Sequence, residues 1–271
     1  MIALAGFHFR TIARGRSSLV AVIGFAVATG IVALLGLDSF RQLGLGAVSP
    51  AAVAVLNLAL LLPTALGALI GALTVTAGRE TGLLAMIRAR GLSIAGLIGA
   101  AWLAVTGVAW LALVAGFGLA ALVVAGNVPL GDMPAFVGLL VVTMAAAATA
   151  SAVGVLVGTA VRTRLQAALV ALAAWFVLAV GLDLVVVGLG VFLRAGEPAL
   201  LAAVLANPLQ AARVLALLLL DASGSVLGPV GAYLLMRFDH LGAVALLAVD
   251  LAAWIGAPLG GAILLLRHRD L

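Results

Sequence analysis

AFVGLLVVTMAAAATASAVGVLVGTAVRTR, residues 135–164, is the stretch that decides the fold. From Ala135 to Val161 no side chain carries a charge, and then two arginines arrive within three residues. A helix needs roughly 20 apolar residues to cross about 30 Å of hydrocarbon. The run is therefore a membrane span, and Arg162-Thr163-Arg164 is the retention signal that holds the following turn on the cytoplasmic side.

Working outward, the same punctuation recurs along the whole chain. The apolar runs predict six spans at about 18–37, 51–77, 93–126, 135–160, 165–193 and 241–266. The gaps between them alternate in arginine content. Arg10, Arg14 and Arg16 precede the first span, Arg79, Arg88 and Arg90 follow the second, and Arg267 and Arg269 follow the sixth. With Arg162 and Arg164 that makes ten, against four (Arg41, Arg194, Arg213 and Arg237) in the intervening gaps. Basic loops stay in the cytoplasm, so both termini are expected there. The expected fold class is an all-α polytopic membrane protein of six transmembrane helices, occupying residues 1–271 as a single domain.

Composition sets the outer limits. A chain that is 66% hydrophobic and 8% charged, with mean hydropathy +1.38, is no soluble domain. Its net charge of +5 is spread over loops on two faces with no basic stripe, so nucleic acid is not an expected partner, whereas membrane lipids are. Cysteine and lysine are absent, which excludes disulfides, thiolate metal sites and a Walker-type phosphate loop. His8, His240 and His268 are scattered without metal-ligand spacing, and no cofactor is expected in this chain. No nucleophile–base constellation marks an enzyme. The basic lead before residue 18 reads as a retained interfacial helix rather than a cleaved signal, with Phe7 and Phe9 towards lipid.

Several places depart from plain spans. Residues 194–240 are apolar yet interrupted. Asn207-Pro208 starts a helix that carries Gln210 and Arg213, and Asp221, Ser223 and Gly224 end it. Val226–Met236 is a second piece, interrupted by Gly228-Pro229. Burying Arg213 in a full span would cost roughly 2.5–3.5 kcal/mol, so a broken external helical hairpin between helices 5 and 6 is expected. Residues 79–91 form a short amphipathic helix with Leu83, Leu84 and Ile87 on one side, suited either to a cytoplasmic partner or to the bilayer surface. Asp183 and Asp250 lie inside spans five and six, each either a contact along a translocation route or an interhelical hydrogen bond. The third span is longer than a perpendicular helix needs, so it is either tilted or broken, with Gly107, Gly116 and Gly118 as candidate weak points. Gly67/Gly71 and Gly154/Gly158 have GxxxG spacing, common by chance in a chain with 33 glycines.

Together these features resemble an ABC-2-type permease subunit, and within that class the Nos-type permeases of nitrous-oxide-reductase maturation. Glu80, Gly82 and Leu84 match a Glu-x-Gly-Thr-Leu pattern after the second span. Trp175-Phe176-Val177 and Asp183-Leu184-Val185 echo the fifth span, and Asn207-Pro208, Arg213 and Ser223-Gly224-Ser225 echo the external segment. Leu83 stands where the family has Thr and Arg90 where it has Pro. The resemblance implies a bacterial or archaeal plasma-membrane permease, paired with a second copy or a related chain. Two cytoplasmic ABC ATPase subunits would bind the ATP. Helix 79–91 would be the coupling helix, with Arg79, Glu80, Gly82, Leu84 and Arg88 on it and Glu80 and Arg88 touching the ATPase. The hairpin would cap the outer exit, and Asp183 would hold helix five. Two rivals remain: a non-transporting membrane scaffold that uses helix 79–91, and an ion-coupled carrier that uses Asp183 and Asp250.

Overall fold

The structure is a computed structural model describing residues 2–13, 15–36, 50–83, 86, 91, 93–124, 133–181, 184 and 196–268. Among these residues the secondary structure is helical throughout, with no strand. The helices are α1 (Ile2–Ala13), α2 (Arg16–Leu35), α3 (Pro50–Glu80), α4 (Ile94–Val124), α5 (Met133–Ala160) and α6 (Arg164–Phe176). A π-helical turn, Val177–Gly181, continues α6. Then follow α7 (Glu197–Leu205), α8 (Pro208–Leu220) and α9 (Gly228–Arg267).

Five of these elements are long and apolar enough to cross a membrane: Val53–Glu80, Ile94–Val123, Pro134–Ala160, Arg164–Gly181 and Ser225–Arg267. They fall on the second to sixth expected spans. The first expected span falls on α2, whose apolar stretch Val22–Leu35 is shorter. Few of these helices are amphipathic in the ordinary sense, since the faces turned away from the core are also apolar. Val20, Ile23 and Val27 on α2, and Leu165, Leu169 and Phe176 on α6, are exposed. That is the signature of a lipid-facing surface, where polarity on the outer face would be penalised.

The core joins α2, α3, α4, α5, α8 and α9 through side chains such as Phe25, Leu60, Leu113, Leu139, Leu218 and Leu247. Phe117 and Phe136 tilt against each other at 5.2 Å between ring centroids. All four tryptophan indoles donate to another helix. Trp102 and Trp110 bond to Ala148 O and Met144 O, tying α4 to α5. Trp175 bonds to Thr64 Oγ1 and Trp254 to Leu205 O. Without water, each N–H has to find a partner inside the bundle.

The closest helix approach is α3 on α5, and it is made by the four GxxxG glycines. A Cβ on Gly67 would lie 2.6 Å from Ser151 Oγ, and one on Gly71 would lie 2.9 Å from Ser151 O. On the facing helix, a Cβ on Gly154 or Gly158 would collide with the backbone of Ala68 or Ala72. The two motifs are one interface, which chance spacing does not explain. Backbone proximity here replaces the hydrophobic drive that lipid removes.

Three expectations need correction. Of the two alternatives for the long third span, the broken one is excluded: α4 is continuous, and Gly107 and Gly116 are notches. Gly116 receives the Phe25 ring, and Gly107 receives Phe9 at 3.1 Å from the position of a Cβ. Phe9 therefore packs on α4 instead of facing lipid. In the 194–240 region, Gly228-Pro229 starts a helix rather than interrupting one. Pro229 sits at its first positions, where a missing N–H costs nothing. That helix runs on into the sixth span and is broken only at Asp239, whose φ of 55° and ψ of −175° are not helical. The sharp bend lies earlier: α7 and α8 meet at 111° across Ala206–Asn207.

Candidate functional site

Two polar clusters stand out of the apolar bundle, one at the Glu80 end of α3 and one near its Pro50 end. At the first, α3 terminates because Gly82 takes φ +68°, a left-handed conformation that ends helices readily only at glycine. Arg79 and Glu80 thus belong to the last turn of α3 and not to a separate helix 79–91, a further correction. One helical bond follows the break, Met86 N to Gly82 O at 3.0 Å, and Gly91 is again left-handed at +88°. Leu84 and Arg88 lie outside the described residues.

The two charged neighbours reach in complementary directions. Arg79 Nη1 donates to Thr159 O at 3.1 Å and Val161 O at 2.9 Å, at the C-terminal end of α5. Carbonyls in the last turn of a helix lie at the negative end of its dipole, so a guanidinium is the fitting partner. Glu80 Oε1 accepts the backbone N–H of Arg164 at 3.0 Å, and Oε2 accepts Arg164 Nε at 2.6 Å. Arg164 begins α6, where the dipole is positive and an anion is favoured. Thr163 caps the same helix through Gln166 N. Thr76 Oγ1 adds a bond to Gly158 O at 3.2 Å. A dipeptide at the end of one spanning helix thereby fastens the end of a second and the start of a third. The Arg164 side chain is 53% exposed, so its ion pair alone contributes about 0.2–1 kcal/mol; the arrangement works by sharing several backbone groups.

The second cluster surrounds a cavity of about 460 Å³ between α3, the π turn and α8. Its walls include Leu56, Asn57 and Leu61 of α3, Ala179 and Val180 of the turn, and Arg213 of α8. Arg213 Nη1 donates to Gln210 Oε1 at 3.1 Å. Asn57 makes no hydrogen bond through its side chain among the described residues. Asn207, fully buried, fixes the corner. Its Oδ1 accepts Leu209 N at 3.0 Å and caps α8, while its Nδ2 donates to Leu178 O at 2.7 Å. The π turn displaces carbonyls from their usual donors, and Asn207 takes up one of them. Pro208 follows at the first helical position, as the Asn-Pro pair predicts.

The remaining sites separate. Asp183 lies outside the described residues. Asp250, on α9, has Oδ2 buried and without a hydrogen-bond partner among the described residues. Asp221 closes the turn after α8. Ser225 Oγ donates to its Oδ2 at 2.7 Å, and Ser223 donates to Oδ1 through both Oγ and N. These donors hold its carboxyl down at about 2. Asn57 escaped the sequence reading, although a signal existed: it is the sole amide side chain in the run 51–77.

No protein-family model matches this chain, and no curated protein is significantly similar to it.

Proposed function

We propose that this chain is the membrane-spanning permease subunit of an ABC transporter, moving a cargo across the plasma membrane with ATP hydrolysed by a separate cytoplasmic subunit. The observation that carries the reading is the Arg79–Glu80 junction. It ties α3, α5 and α6 together beside residues 79–91, on the face where the arginine-dense turns lie. α6 and its π turn then run some 18 residues, about 27 Å at 1.5 Å per residue, to the cavity at the other end.

A push on the Glu80 end is therefore transmitted to a cavity wall. ATPase dimerisation would rock α6 against its neighbours between two packed arrangements, which is alternating access in its simplest form. Glu80 acts in this scheme as a positioning residue through Arg164, leaving the segment after Gly82 to meet the ATPase. The sixth span would be supplied by α2, and the expected hairpin would shrink to the bent α7–α8 pair, because its second piece, Val226–Met236, leads into and forms the start of α9. A second copy or a related chain completes the transporter. The Glu80-x-Gly82, Asn207-Pro208 and Ser223-Gly224-Ser225 motifs favour the Nos type within the class.

The test is purification from native membranes in mild detergent, with mass spectrometry of what stays bound. A Walker-motif ATPase at near-equal stoichiometry is expected. Its absence, where a control ABC transporter stays assembled, would move the assignment to a scaffold or a carrier.

A further inference from the structure

We propose that Val177–Gly181 is a two-state turn, π-helical in this structure and α-helical in the alternative, and that Asn207 selects the state by holding or releasing Leu178 O. The device belongs to this chain alone and does not rest on the permease reading.

Burial along α6 records the register. Ala167 and Ala171 are buried one helical turn apart, as a helix facing its neighbour with one side requires. Two more α-helical turns, about seven residues, would bring residue 178 to that side. The buried residue is instead Ala179, eight positions (179 − 171) beyond Ala171, and Leu178 is half-buried. The π turn has taken up one extra residue. Its entrance is ordinary: Val177 keeps φ −61° and ψ −42°, so the chain arrives with α-helical geometry and either form can follow.

What favours the wider form is a bond from outside the helix. Leu178 O accepts Asn207 Nδ2 at 2.7 Å. The amide is oriented by its other end, because Oδ1 is committed to Leu209 N at 3.0 Å. Asn207 is in turn placed by its corner. There α7 and α8 meet at 111°, and Trp254 of α9 donates to the nearby Leu205 O. On the other side, Trp175 bonded to Thr64 Oγ1 fastens α6 to α3 just before the turn. A change of register is therefore taken up between Val177 and Gly181, within reach of Asn207. In the α-helical form Leu178 replaces Ala179 on the cavity wall, and the larger side chain narrows the cavity. Movement of the α7–α8 corner is thereby coupled to the width of the cavity.

The absence of cysteine makes the test direct. Leu178→Cys and Ala179→Cys each carry the single thiol of the protein. N-ethylmaleimide labelling of the full chain in phosphatidylcholine nanodiscs, followed by mass spectrometry, reads their accessibility. Asn207→Ser is the selecting variant, since serine caps a helix about as well as asparagine but has no amide to offer Leu178 O. In that background Ala179→Cys should label faster and Leu178→Cys more slowly. The ratio of the two rates should change about fivefold, the effect of one hydrogen bond on a two-state equilibrium. Asn207→Thr repeats the measurement if Asn207→Ser does not fold. Opposite changes report a rotation of the turn, whereas local loosening raises both rates together. Both rates rising, both falling, or a ratio that stays the same or moves the other way would overturn the proposal and leave Asn207 as a helix cap.

Discussion

Asp221 shows how a single carboxylate organises a turn. It receives two side-chain hydroxyls and the backbone N–H groups of Ser223 and Val226, so the six residues from Asp221 to Val226 close on one charge. All of these donors favour the ionised form, which lowers the carboxyl from 3.8 to about 2. A depressed acid contributes order that is complete above the unfolded value and lost as pH falls through the folded one. The turn should therefore keep its structure down to about pH 4 and loosen progressively towards pH 2. Hydrogen exchange at the Ser223 and Val226 amides measures this: protection, corrected for intrinsic exchange, should fall across that window in the wild type. In Asp221→Ala it should be low at every pH. Constant protection from pH 5 to pH 2 in the wild type would show that the carboxylate does not hold the turn. Asp239 is a different case, since its strain lies in the backbone. A left-handed φ at a non-glycine costs of order 1–3 kcal/mol, and Oδ1 offsets part of this by accepting Gly242 N at 2.7 Å. The side chain caps the continuing helix at the point where the chain must turn.

At the level of elements, the α3–α5 contact depends on four missing side chains. Adding one methyl group at Gly154 drives it into the Ala68 backbone, which cannot rotate away. Gly154→Ala should therefore lower stability by about 1–3 kcal/mol, the usual cost of overpacking. Gly260→Ala is the matched control, because nothing lies within 4 Å of its Cβ position. There the gain in helix propensity should leave stability unchanged or raised by up to about 1 kcal/mol. Thermal melts in one detergent compare the two, and equal shifts would remove the glycine interface from the argument. The helices themselves were legible in the sequence because uncharged length is a local property. Residues 135–161 read as a span with no knowledge of their neighbours. Pairing was not legible, since glycines are so frequent that spacing alone cannot distinguish the pairs that meet a backbone from those that meet lipid. The same limit applied to the sites. Arg79, Glu80, Asn207 and Arg213 were visible as polar residues in apolar surroundings. The partners of the first three at Thr159, Val161, Arg164 and Leu178 were not, because they lie up to 84 positions away. Asn57 was missed because an uncharged amide does not interrupt a hydropathy run.

For the molecule as a whole, the question is whether the Glu80 end and the cavity end act as one machine. The link is α6, gripped at its first residue by Glu80 and opening at its far end into the π turn. Among the described residues it is also the least buried of the five candidate spans, held along its length by the Trp175–Thr64 bond. Glu80→Gln keeps an acceptor for Arg164 N but loses the ion pair, and Arg164→Gln loses the same pair from the other side. If the pair transmits movement, each change should cut cargo-stimulated ATPase activity in the assembled transporter. The double variant should then be no worse than either single one, because one interaction cannot be removed twice. ATPase stoichiometry in the purified complex should be unchanged throughout. Were Glu80 instead a docking contact for the ATPase, its loss would weaken assembly and the two effects would add. The cycle thus assigns Glu80 to one of two roles, gripping α6 or binding the partner, and only the first explains why its carboxylate is turned onto the N-terminus of a neighbouring helix.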